Sequence, residues 1–87
     1  MKKQYLSFAD LDAVQSSGSP GPFRLDYRQT SPGHWFSGQR NLATFQDEAA
    51  LADAANQLAE THAGIELIAY YRSSPGIPCA HLFRRSL

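Results

Sequence analysis

Apolar and polar residues alternate along 23–29. Phe23, Leu25 and Tyr27 take one parity and Arg24, Asp26 and Arg28 the other. A period of two is that of a strand with one face buried and one in water. The run IELIAYYR at 65–72 is the strongest strand pattern in the chain. It puts Ile65, Leu67, Ala69 and Tyr71 on one face and Glu66, Ile68, Tyr70 and Arg72 on the other. Residues 79–85 read as a last strand antiparallel to it, across the loop SSPGIP. TSPG at 30–33 is a turn, and 34–37 then starts a strand that pairs with 23–29 as a hairpin. Gly38 is the expected position of a bulge or bend, and 41–45 either continues that strand or leads into a helix.

Between the two hairpins the period changes. Leu51, Ala54, Ala55 and Leu58 recur at spacings of three and four, which gathers them on one face of a helix. Asp53, Asn56, Gln57 and Glu60 fall on the opposite face. Asp47 and Glu48 stand at the start, where carboxylates suit the positive helix end, and Gly64 is a stop signal. The spacing predicts a helix over about 47–63. Near the N-terminus, Ser7 followed by Asp10 is a helix-start signal, and Phe8, Leu11 and Val14 then share a face, which predicts a short helix over 8–15. Residues 2–5 are a frayed end or an edge strand. SSGSPGP at 16–22 is a loop. The expected fold is α+β: a two-layer sandwich in which one long helix crosses a mainly antiparallel four-stranded sheet, with a short N-terminal helix.

Composition narrows this further. Eighty-seven residues make a single domain, 1–87, and 43% hydrophobic content argues for a folded core. One cysteine forms no internal disulfide, and MKKQYLSFADLD has no apolar signal-peptide region, so a cytoplasmic setting is expected. No run of residues reaches the length of a membrane span. A net charge of zero argues against a dedicated nucleic-acid binder. The neutral total nevertheless conceals a segregation. Residues 45–64 carry Asp47, Glu48, Asp53 and Glu60 and no Lys or Arg, whereas both flanks are basic.

Reactive chemistry is sparse. Cys79 and His81 share a strand face but sit roughly 6–7 Å apart, too far for a thiolate–imidazole pair without rotamer help. The plainer expectation is a small buried cysteine beside a half-exposed histidine. His34, His62 and His81 with Cys79 lack paired ligand spacing, and no metal or other cofactor is expected. Asp10, Asp12, Asp26 and Glu66 fall on faces expected to be exposed, with nothing to shift a carboxyl toward acid–base work. Aromatic and basic residues leave alternatives open. Alternation forces at least one ring of His34-Trp35-Phe36 away from the core, and Tyr70 shares the outer strand face with Ile68 and Arg72. Either helix 8–15 covers that second sheet face and makes these rings core, or they anchor a protein partner, or they stack on unpaired bases.

In layout, the short chain, its acidic helix DEAALADAANQLAE and the hairpin on each side resemble the compact inhibitors carried by phages and mobile elements, anti-CRISPR proteins among them. That resemblance implies a protein that occupies a surface on a larger assembly, often one meant for nucleic acid, with carboxylates standing in for phosphates. The expectation is a non-enzymatic protein-binding module that blocks a basic surface of a larger protein or ribonucleoprotein such as a CRISPR effector. Asp53, Asn56, Gln57 and Glu60 would make the polar contacts, and Trp35 or Tyr70 the apolar anchor. The alternatives are a nucleic-acid-binding sheet face using Arg24, Arg28, Tyr70 and Arg72, and a homodimer paired through an open edge at 23–29 or 79–85.

Overall fold

A computed structural model describes residues 3–30 and 38–87. Its elements are α1 (Phe8–Ser17), β1 (Phe23–Gln29), β2 (Arg40–Phe45), α2 (Glu48–Thr61), β3 (Ile65–Tyr71) and β4 (Ala80–Ser86). The four strands form one sheet in the order β2-β1-β3-β4, every neighbouring pair antiparallel. This is the expected two-layer α+β architecture. The long helix is 14 residues, shorter than the span of about 47–63 because Asp47 caps it and His62 ends it. The expected strand start at 34–37, Trp35 included, lies outside the described residues.

The strand order corrects the expected edges. The chain leaves β2, crosses the sheet through α2 and returns on the far side of β1, so β1 is paired on both flanks. Residues 23–29 are therefore central, and the free edges are β2 and β4. Gly38 precedes β2 and lies outside the strands. Register shifts place the extra residues at Leu42, opposite the Leu25–Asp26 step, and at Leu82, opposite Ala69–Tyr70. A bulge lets two successive side chains turn the same way. Leu42 and Ala43 are both buried, and Leu82 and Phe83 both pack on the core, which strict alternation would forbid.

The core lies between the sheet and the helices. Leu25, Leu42, Leu51, Ile65 and Leu67 have 1% exposure or less, and burial of each such side chain stabilises by about 1.5–3 kcal/mol. The helix α2 contributes Leu51, Ala55, Leu58 and Ala59, and its small face brings it close to the sheet. Leu11 and Val14 of α1 pack on the same cluster, so α1 lies on the α2 side of the sheet. The reading in which it covers the opposite face is thereby excluded. Polar ties hold both ends of α1. Ser7 and Asp10 form a reciprocal capping box, Gln4 bridges to His62, and Ser19 N–H donates to Thr44 O at 2.9 Å. The loop before β1 runs so close to β2 that a Cβ on Gly21 would sit 2.2 Å from Phe45 O. Gly64 takes φ 79°, a left-handed conformation that suits glycine, on leaving α2.

Candidate functional site

The two layers carry opposite charge. The helices bear Asp10, Asp12, Glu48, Asp53 and Glu60, with Asp47 as the α2 cap, and neither helix contains Lys or Arg. Arg24, Arg28, Arg40, Arg84 and Arg85 lie on the strands and Arg72 directly follows β3, against only Asp26 and Glu66. The acidic segment visible in sequence thus gains the two carboxylates of α1, because both helices occupy one layer.

On that layer Asp53, Asn56, Gln57 and Glu60 are all exposed. They span eight residues, about 10 Å along the axis. Asn56 Oδ1 accepts from Arg85 Nη1 at 2.9 Å, which sets one cation at the β4 flank of the stripe. On the other flank, Gln57 and Glu60 line an open groove of about 350 Å³ between α1 and α2, with Val14 and Leu58 on its apolar lining. Asp10 and His62 close one end. His62 is 5% exposed, with Nδ1 2.7 Å from Thr61 Oγ1 and Nε2 3.0 Å from Asp10 Oδ2. The distance to Asp10 is that of a hydrogen bond, but the approach leaves Nε2 without a well-formed one. The His62 ring first, then the Ser7 hydroxyl and amide, hold the Asp10 carboxyl below the ordinary aspartate value.

The opposite sheet face is a polar network, and here the expected exposure is corrected. Asp26 is 2% exposed, and the Glu66 side chain is 12% exposed. Asp26 accepts from Arg24 Nε at 2.7 Å, Gln39 Nε2 at 2.8 Å and Asn41 Nδ2 at 3.2 Å. Strand alternation correctly turns Asp26 away from the apolar core, yet it is buried there, as is Ile68 directly opposite it on β3. The Asp26 carboxylate raises the Arg24 pKa above its ordinary value, against a smaller opposing effect of burial. Glu66 lies 3.5 Å from Arg28 Nη2 and 3.7 Å from Arg84 Nε. Most of the open-face arginines are therefore engaged within the fold.

Tyr70 belongs to this face. Its hydroxyl accepts from Gln39 Nε2 at 3.0 Å, and its ring meets His81 edge-on at 5.8 Å. The structure thus separates it from the stripe at Asp53, Asn56, Gln57 and Glu60, which lies beyond the core on the other side of the sheet. Trp35 lies outside the described residues. Cys79 is exposed and precedes β4, correcting the expectation of a buried cysteine within the strand. His81 engages Tyr70, and His62 sits in the helical layer, so the two histidines do not converge. Sequence reasoning missed Gln39 and Asn41, which complete the Asp26 network. Their side chains gave no periodic signal.

Among the described residues no helix is long and apolar enough to cross a membrane. Compared with known protein families, curated proteins and solved structures, the chain matches none.

Proposed function

We propose that this chain is a non-enzymatic protein-binding module whose acidic helical layer docks on a basic surface of a larger protein or ribonucleoprotein. One observation carries the reading: both helices present carboxylates and contain no cation. The exposed contact set is Asp53, Gln57 and Glu60 on α2, with Asp12 on α1 and the apolar interhelical groove beside them. Such a surface attracts a basic partner at long range and selects against acidic ones. A partner surface built for nucleic acid has the complementary chemistry. The inhibitor role implied by the layout, with a CRISPR effector as target, is one form of this proposal. The opposite face is the weaker candidate for a broad nucleic-acid platform, because Arg24, Arg28 and Arg84 contact Asp26 and Glu66.

The test is capture of partners by the tagged protein from nuclease-treated bacterial lysate, beside a D53K/E60K variant. We expect one stoichiometric protein complex to survive nuclease. Measured with that isolated partner at low salt, the variant should bind at least about tenfold more weakly. Equal affinity of the two proteins would reject the helical layer as the contact surface.

A further inference from the structure

Arg24 stands directly opposite Tyr70 in the β1–β3 ladder. The Arg72 amide donates to Pro22 O at 2.9 Å, which carries the same pairing one step further. Alternation then projects Arg24, Tyr70 and Arg72 from one face, with the two arginines as diagonal neighbours roughly 7–8 Å apart at Cα. At this end of the sheet an open groove of about 460 Å³ is lined by Arg24, Arg72, Tyr70, Ser73, Ser74 and Cys79, with Pro22 and Pro75 adding apolar surface. That volume falls within the usual range for small-molecule sites, about 300–1,000 Å³.

We propose that this groove binds a nucleoside phosphate, with the phosphate on Arg24 and Arg72 and the base against Tyr70. Each guanidinium is steadied through Nε, Arg24 on Asp26 Oδ1 at 2.7 Å and Arg72 on Ile77 O at 2.9 Å. Among the described residues no partner takes their terminal Nη nitrogens. A guanidinium fixed at Nε presents the Nη pair as a fork, the geometry that recognises a phosphate oxygen pair. Ser73 and Ser74 add hydroxyl donors, and among the described residues no carboxylate lines the groove. Asp26 offsets part of the Arg24 charge, and Gln39 and Asn41 also donate to its oxygens, which leaves Arg72 as the stronger of the two cations toward a ligand. The same phosphate chemistry is offered by a free nucleotide and by the 5′ end of a strand. This site lies across the sheet from α2 and is independent of the docking surface proposed above.

Cys79 provides the readout, since it lines the groove, is exposed and is the chain's single cysteine. The rate of its alkylation by iodoacetamide is measured at fixed pH and ionic strength with adenosine, AMP, inorganic phosphate, and a short oligothymidylate with and without a 5′-phosphate. AMP should slow alkylation saturably, and more strongly than phosphate or adenosine alone. Protection by the 5′-phosphorylated strand but not by AMP would support the site with the strand end as its ligand. R72A should weaken protection by about tenfold, as expected for loss of a charge-assisted contact. R84A, which alters the same sheet face outside the groove, should leave protection unchanged. The proposal fails if no probe protects at about 5 mM. It also fails if the unphosphorylated strand protects as well as the phosphorylated one, if phosphate alone equals AMP, or if R84A acts like R72A.

Discussion

Asp26 is a carboxylate held 2% exposed on the sheet face opposite α1 and α2. Burying a charge is unfavourable unless it is paired and hydrogen-bonded, and Arg24, Gln39 and Asn41 meet that requirement together. Two of these donors come from at or near β2, so the carboxylate ties an edge strand to a central one. Replacing it by alanine leaves the three donors half solvated rather than fully stranded. We therefore expect D26A to lower unfolding free energy by about 1–3 kcal/mol, read from urea denaturation followed by circular dichroism. A change within error would show that water satisfies these donors equally well. The alternation at 23–29 made the parity of Asp26 legible in sequence, but not its burial. The donors at 39 and 41 that satisfy it are remote in sequence, and the bulge at Leu42 sets Asn41 opposite it.

At the scale of elements, α2 was legible because its period, the carboxylates at its start and the stop at Gly64 agree with one another. β3 was legible for the same kind of reason. The strand order was not, because a hairpin pattern does not say which partner lies on a strand's other side. The side of the sheet that α1 takes was also hidden. It depends on Leu11 and Val14 reaching a core built from distant strands, and on contacts between its capping box and the end of α2. That junction gives α1 a pH dependence. Asp10 has a lowered folded-state pKa, so its contribution is complete above the ordinary aspartate value of about 3.9 and is lost as pH falls through the lowered value. D10N lacks the ionised carboxylate at every pH. Thermal unfolding of the two proteins should differ at neutral pH and converge as the wild-type carboxyl is protonated. A constant difference down to the most acid pH would show that the Asp10 charge is not what ties α1 down.

For the whole molecule, the layout places the two candidate sites on opposite faces of one thin sandwich. Variants at Asp53 and Glu60 should leave Cys79 protection unaltered, and R72A should leave capture of a protein partner unaltered. The acidic stripe was readable from charge counting along the chain. The groove was not, since Arg24, Arg72 and Cys79 lie far apart in sequence and meet only through the β1–β3 register and the loop before β4.

The separation of carboxylates and guanidiniums into two layers has a consequence for the protein in concentrated solution. With a sequence pI of about 6.8, the chain has almost no net charge near neutrality to keep copies apart, yet its carboxylates are concentrated on the helices and its guanidiniums on the strands. The helical layer of one copy complements the sheet layer of the next. That contact is head-to-tail, so nothing closes it, and stacks can grow. Near pH 6.8 the protein should salt in: turbid at low ionic strength and clear by about 0.3 M salt, where the screening length is only about 5–6 Å. Light scattering against salt concentration measures this directly, and D53K/E60K, which weakens one pole, should abolish the low-salt turbidity. Scattering that is flat across the salt range would show that the layers are too finely mixed in charge to stack.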